Sequence, residues 1–323
     1  IAPPRPTLIF TIHPSSAMAT DAAPTKYAVV TGANKGIGLE ICRQLAFQGV
    51  TVVLTARDQR RGLQAVDRLR RQEERHGGAA PGQVLFHQLD VADTASIATL
   101  ADFINTQFGR LDILVNNAGI AGAMIDFDAW KTQLKAAGGD EYKIDLKGTV
   151  KQTYELAEEC VQINYYGAKR MIHAFIQLLC LSKSARVVNV SSSLGKLKNL
   201  PNEWAKGVLS DGESLTEERI DSVLSSFLKD FKDDQLTPKN WPPTLSAYIT
   251  SKAAMTAYTR IVAKNHPNWR VNCVCPGFVK TEMNENAGKL TVEEGAESPV
   301  RLALLPDDGP SGCFFDRKEV SPF

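Results

Sequence analysis

The chain has 323 residues, 43% apolar and 23% charged, with 37 basic against 36 acidic side chains and a formal net charge of +1. Such a chain buries a large core as one big α/β domain or two small ones, which excludes intrinsic disorder, a collagen-like chain and a disulfide-stapled miniprotein. The balanced charge offers no broad basic face for nucleic acid or anionic lipid, and no apolar run is long enough to span a bilayer. Cys42, Cys160, Cys180, Cys273, Cys275 and Cys313 form no C-x-x-C pair, so they read as reduced thiols packed as small hydrophobes, with no metal site expected and a reducing, cytoplasmic setting. Cys273 and Cys275 flank Val274 and are expected on one face of a strand.

Residues 1–24 differ from the rest. Four prolines fall among the first fourteen residues, no acidic residue precedes Asp21, and the apolar run Leu8 to Ile12 is too short for a secretory core. Because Met18 opens a segment leading into the first strand, this stretch reads as a flexible or non-native extension, and 25–323 as a single domain. From Lys26 onward, short β-branched runs predict strands at Tyr27–Thr31, Thr51–Thr55, Val84–His87, Leu111–Val115, Arg186–Val190 and Val271–Val274. Segments between them, such as Ile37–Phe47 and Ala95–Phe108, repeat apolar residues every three or four positions and predict helices. This alternation implies a parallel sheet covered by helices on both faces.

Two stretches exceed what the alternation needs, about 120–150 and 194–243. In the second, Ile220, Val223, Leu224, Phe227, Leu228 and Phe231 fall on one helical stripe, with Ser214 and Glu217 as an expected capping box and Pro238, Pro242 and Pro243 closing the segment. Connections of this length commonly carry function.

After the first strand comes Thr31-Gly32-Ala33-Asn34-Lys35-Gly36-Ile37-Gly38, leading into a helix. The glycines permit a tight turn and let a pyrophosphate approach the helix N-terminus, where unpaired amides and the helix dipole favour anions. The second strand ends at Arg57 rather than at the acidic residue that binds a free ribose 2′-hydroxyl. A guanidinium suits a 2′-phosphate, and Lys35 adds a second positive charge, which favours NADP(H) over NAD(H). The alternatives, that both are solvated surface charges or that Asp58 meets a ribose, stay open.

With Asp90-Val91 after the third strand, Asn116-Asn117-Ala118-Gly119 after the fourth and Tyr248-x-x-x-Lys252 near the end, the glycine pattern resembles the short-chain dehydrogenase/reductases. The resemblance runs from about residue 26 to the C-terminus. With its extended loops, Pro276-Gly277-Phe278-Val279-Lys280-Thr281 and the terminal Pro306-Asp307-Asp308-Gly309-Pro310-Ser311-Gly312, the chain resembles within the family the plant monomeric branch that includes salutaridine and menthone (neomenthol) reductases, with carbonyl reductases more distant. It implies a single Rossmann-type doubly wound parallel sheet of about seven strands with two substrate-side insertions. It also implies that Gly32, Asn34, Lys35, Gly36, Ile37 and Gly38 line the phosphates, that Asp90 and Val91 flank the adenine, and that Asn117, Ala118 and Gly119 support the adenosine half. Val279 and Thr281 would meet the nicotinamide carboxamide and phosphates. Asp90 as a turn cap and Asn117 as a structural hydrogen-bonder remain alternatives.

Tyr248 and Lys252 lie four apart in a segment, Ala247–Ala263, that reads as a helix, so both leave the same face. An ordinary tyrosine has a pKa of about 10, and a nearby ammonium favours its phenolate and brings it towards general acid-base range. The resemblance implies that Tyr248 protonates a substrate carbonyl oxygen, that Lys252 also binds the nicotinamide ribose, that Ser192 is the second donor, and that Asn164 holds a water for proton return. Ser191 and Ser193 flank Ser192, and a shift by one position stays open.

The leading expectation is NADPH-dependent reduction of a ketone on a bulky apolar cyclic metabolite, alkaloid or terpenoid, to a secondary alcohol. The alternatives are enone C=C reduction, as in some relatives of this branch, and an NADPH-binding sensor or scaffold without catalysis. Ala123, Met124, Ile125, Phe127 and Trp130, with Leu200, Trp204 and Leu209, serve either as an apolar lid or as packing anchors. The stripe before the Tyr248 helix is expected to cover the surface through which many short-chain reductases pair, leaving a monomer whose partner is a small-molecule carbonyl substrate.

Overall fold

The computed structural model describes residues 25–75, 82–138 and 148–323. The extension at 1–24 and part of the first insertion lie outside the described residues. All six expected strands form, at β1 (Tyr27–Val30), β2 (Thr51–Ala56), β3 (Val84–Gln88), β4 (Ile113–Asn116), β7 (Arg186–Val190) and β8 (Arg270–Cys275). Two more, β9 (Phe314–Asp316) and β10 (Glu319–Val320), extend the sheet to eight strands in the order β10-β9-β8-β7-β4-β1-β2-β3. All pairings are parallel except that of β9 with β10. Strand order reverses where β1 meets β4, and at such a switch point the connections leave in opposite directions and open a crevice at the strands' carboxyl ends.

Register follows side-chain alternation. Val29, Val53, Leu114 and Val187 point into one core and Val30, Val52, Ile113 and Val188 into the other. The second core is closed by α1 (Gly36–Phe47), α2 (Gln59–Arg75) and α10 (Val292–Ala303) through Ile41, Leu45, Val66 and Val300. The first is closed by α3 (Thr94–Phe108), α5 (Tyr154–Val161), α6 (Ala168–Cys180) and α9 (Ser246–Asn265). Between α5 and α6, residues Gln162–Gly167 form a π-helical turn. Cys273 and Cys275 are buried together against Phe314, as their spacing predicts.

The first insertion forms a small hairpin of β5 (Met124–Ile125) and β6 (Val150–Lys151), with α4 (Phe127–Ala136) between them. The second forms α7 (Glu203–Ser210) and α8 (Glu217–Lys232). Ile220, Val223, Leu224 and Phe227 of α8 are fully buried, and α8 lies across α9 and α5. Burial of such side chains contributes about 1.5–3 kcal/mol each. Asp230 anchors the returning chain, accepting from Lys239 Nζ at 2.6 Å and Trp241 Nε1 at 2.9 Å.

One expectation needs correction here, and one open alternative is decided. The N-cap of α8 is Thr216, whose hydroxyl accepts from the Arg219 amide; Ser214 is occupied by Asp211 and the Arg219 side chain. Leu200 and Leu209 are buried anchors of the first core, and Trp204 is half exposed on α7.

Candidate active site

The glycine loop after β1 is held from below. Thr31 Oγ1 accepts from the Asn117 and Ala118 amides at 2.9 Å each, and Asn117 Nδ2 donates to the carbonyls of Thr31 and Gly32 at 2.9 and 3.1 Å. A Cβ at Gly38 would stand 2.4 Å from Asn117 Nδ2, so only glycine lets α1 start this close to the β4 loop. Asn117 is thus a structural hydrogen-bonder that fixes the loop, while also lining the cleft.

Above the loop is a cavity of about 640 Å³. Gly32, Asn34, Lys35, Gly36, Ile37 and Gly38 line it, as do Arg57, Asp90, Val91, Asn117, Ala118, Gly119, Tyr248, Lys252 and Thr281. Val279 faces the adjoining cavity together with Thr281. The first turn of α1 has neither a side-chain cap nor an acidic residue, so its amides remain available to an anion. A cleft of this size with an uncapped helix N-terminus at its centre fits a dinucleotide.

Details at the adenosine end differ from the expected picture. Lys35 is paired with Glu282, and this holds the Glu282 carboxyl below its usual range. Arg57 is largely exposed and loosely paired with Glu159 at 3.9 Å. Arg61, overlooked in the sequence, joins the cavity lining; its amide donates to Asp58 Oδ1 at 2.8 Å and holds that carboxyl below its ordinary value. The cluster Arg57-x-x-Arg60-Arg61 was the available signal. Asp90 accepts from the Ala92 amide at 2.9 Å, so it caps a turn and lines the cavity at once.

Tyr248 and Lys252 stand one turn apart on α9, with the ammonium 5.8 Å from the phenol ring centre. Lys252 is buried, and Nζ donates to the Val190 carbonyl at the end of β7, at 2.8 Å. Burial pulls the Lys252 pKa down to about 8. The Tyr248 phenol is raised by burial, against the opposing pull of a hydrogen bond with Ser192. The net shift of the phenol is therefore upward, opposite to the lowering expected from the neighbouring ammonium.

Of the three serines, Ser192 is the one whose side chain acts on the Tyr248 phenol, drawing its pKa down against burial. Ser191 is buried against Thr256 and the Lys252 carbonyl, and the Ser193 hydroxyl lies near the Cys275 thiol. Ser192 also caps the short turn Ser193–Gly195. A Cβ at Gly195 would fall 2.7 Å from Lys252 Cβ, so a glycine there allows this turn to rest directly on α9.

Asn164 sits in the π turn, fully occupied. Its Oδ1 accepts from the Ile120 amide at 2.9 Å, while Nδ2 meets the Ile120 carbonyl, Cys160 Sγ and Ser251 Oγ at 3.0, 3.1 and 3.1 Å. Sequence reading missed Cys160, whose thiol burial pushes up to about 12, and Ser251 as its neighbours. Nothing in either residue's local pattern marks it: Cys160 comes from α5 and Ser251 from α9, and they meet at Asn164 only in the fold.

Beyond Tyr248 opens a second cavity of about 470 Å³, which is mostly apolar. Ile125, Phe127 and Trp130 of the first insertion line it, with Leu194, Leu245 and Phe278 from elsewhere. Trp130 is nearly buried, edge-on to Phe278 at 5.3 Å and to Phe127 at 6.1 Å. The first insertion thus supplies cavity wall, and the second mainly packing anchors.

The family model for short chain dehydrogenases matches residues 26–203 and 238–290. The chain belongs to the short-chain dehydrogenases. The interruption at 204–237 coincides with α7 and α8. A (+)-neomenthol dehydrogenase of Arabidopsis thaliana is 60% identical over 92% of this chain and 98% of its own. The structure of salutaridine reductase from Papaver somniferum matches with a TM-score of 0.82 at 52% identity, over 90% of this chain and 99% of that one. A menthone neomenthol reductase from Mentha piperita matches at 0.79 and 49%, over 92% and 100%. This short-chain dehydrogenase is accordingly an oxidoreductase on a Rossmann-type fold.

Proposed function

We propose that this short-chain dehydrogenase reduces a ketone on a bulky apolar cyclic metabolite, of the terpenoid or alkaloid kind, to a secondary alcohol with NADPH. The observation that carries the reading is the Ser192–Tyr248–Lys252 cluster, placed between a dinucleotide-sized cleft and an apolar cavity. When bound, NADPH supplies the hydride. Tyr248 gives its phenolic proton to the carbonyl oxygen, and Ser192 donates a hydrogen bond to the same oxygen as negative charge develops there. Lys252, buried beside them, stabilises the phenolate that Tyr248 becomes. Asn164 braces the Ile120 segment under the cleft and is a positioning residue for proton return. The apolar walls exclude water from the reacting carbonyl.

Lys35, Arg57 and Arg61 gather near the ribose end and favour the 2′-phosphate of NADP(H), with Lys35 turning from Glu282 to the phosphate. The covering of α9 and α5 by α8 supports a monomer, and six free cysteines support a cytoplasmic setting. Binding without catalysis leaves the buried ammonium of Lys252 beside the Tyr248 phenol without a role.

The test is cofactor oxidation by the purified chain over monoterpenoid, alkaloid and simple quinone carbonyls, with NADPH and with NADH. Turnover of a cyclic ketone with NADPH, at least tenfold weaker with NADH, is the expected result. No turnover across the panel overturns the catalytic reading, and equal use of NADH overturns the cofactor preference.

A further inference from the structure

Among the described residues, three charged ones line the apolar cavity: Lys289, Asp316 and Arg317. Asp316 is held by Lys196 at 2.8 Å, and Lys289 has a partner of its own. The Arg317 guanidinium has no hydrogen-bond or ion-pair partner among the described residues. Its backbone is also in the left-handed region, as is that of Leu245 on the same cavity. Arg317 takes the first position of the two-residue connection between β9 and β10, at a φ of 55°. Glycine adopts this left-handed conformation freely, and arginine only at a cost. Its amide donates to the Cys275 carbonyl at 2.9 Å, which pins the residue to the end of β8, beside the reaction site. Its stem passes over the loop after β8, with Cδ 3.4 Å from where a Cβ at Gly277 would be. A strained position that suits glycine therefore carries a long, exposed and unpaired arginine at the edge of the cavity, and strain maintained at a cavity points to use.

We propose that Arg317 is a specificity-determining residue that selects ketones bearing an anionic group, above all a carboxylate, remote from the reacting carbonyl, and selects against ketones bearing an ammonium. This rests on the ketone-reductase reading and narrows its substrate class towards oxidised terpenoid skeletons. The guanidinium fork forms paired charge-assisted hydrogen bonds with a carboxylate. Asp316, already neutralised by Lys196, offers a substrate ammonium no free counter-charge. Between Arg317 and Tyr248 the wall is largely apolar and suits a hydrocarbon skeleton joining the two polar ends.

The probes are a cyclohexanone with a propanoate arm opposite the carbonyl, its methyl ester, and the counterpart with a propylamine arm. Their kcat/KM values with NADPH are compared in wild type, Arg317→Gly and Arg317→Lys. Arg317→Gly removes the cation while relaxing the backbone, so its melting temperature is not lowered. Wild type is expected to prefer the propanoate over the ester by tenfold or more and to take the amine least. Arg317→Gly should erase that preference, and Arg317→Lys should retain part of it. An unchanged preference in Arg317→Gly, or a wild-type preference for the amine, overturns the proposal. If none of the probes is reduced, the ketone-reductase reading suffers instead. Calorimetric binding of the propanoate probe's alcohol in the presence of NADP+ then decides: a tenfold loss of affinity in Arg317→Gly supports the role of Arg317, and equal affinity overturns it.

Discussion

The two halves of the cleft are built on different principles. The dinucleotide half is largely backbone: glycines, an uncapped helix start, and Thr31 and Asn117 holding the loop through main-chain groups. The substrate half is side chain, drawn from Ile125, Trp130, Leu194, Leu245, Phe278 and Arg317, segments that meet only after folding. A backbone cradle tolerates little change and recognises what every member of a family must bind. A side-chain wall is revised one residue at a time, so substrate choice varies on a constant cofactor site. Tyr248, Lys252 and Ser192 stand on the seam.

Three substitutions test this division, and the largest effect belongs to the seam. Tyr248→Phe removes the proton donor and is expected to lower kcat by about 10²–10⁴-fold, with NADPH affinity by fluorescence titration essentially kept; comparable turnover would sink the assignment. Arg57→Glu acts on the cofactor half alone. Loss of one charge-assisted contact to the 2′-phosphate, plus repulsion, should raise the KM for NADPH by roughly 10–100-fold, while the KM for NADH barely moves. Equal effects on both cofactors would show that Arg57 does not read the phosphate. Trp130→Ala acts on the other half. By widening the cavity, it should raise the KM for a bulky cyclic ketone by about tenfold, the equivalent of roughly 1.4 kcal/mol of lost apolar contact, with the KM for NADPH unaltered. A parallel rise in both KM values would mean that the two halves are not independent.

What the sequence displayed follows the same line. Strands β1 to β4, β7 and β8 are short β-branched runs, and Tyr248 with Lys252 is a four-residue spacing on one helix; each is written within a few neighbouring residues. β9 was not legible because three residues carry too little periodicity, and its place depends on pairing with β8. The N-cap of α8 was misread because Ser214 and Thr216 both suit the position, and only the folded contacts with Asp211 and Arg219 remove Ser214 from the competition. Leu200 and Leu209 carry the same apolar signal as Trp130, yet they lie in the core, because hydrophobicity does not state which surface will cover a side chain. Arg317 was invisible for a related reason: neither its open guanidinium nor its positive φ is a property of the sequence around it.

The π turn at Gln162–Gly167 sets a phase between two helices. An α-helix advances about 100° per residue, and a π turn accommodates one residue more than an α turn needs. Deleting one residue there would let the ladder close as ordinary α-helix with α5 and α6 still in phase, whereas the same deletion in an uninterrupted α-helix rotates one half against the other by about 100°. Met171 and Phe175 of α6 would keep facing the core, and the change would fall on the wide turn itself, where Asn164 meets Ile120 and Ser251. The segment thus behaves like slack stored in the chain: it can give up one residue without misaligning the packing on either side, and loss of a second would turn α6 against the core.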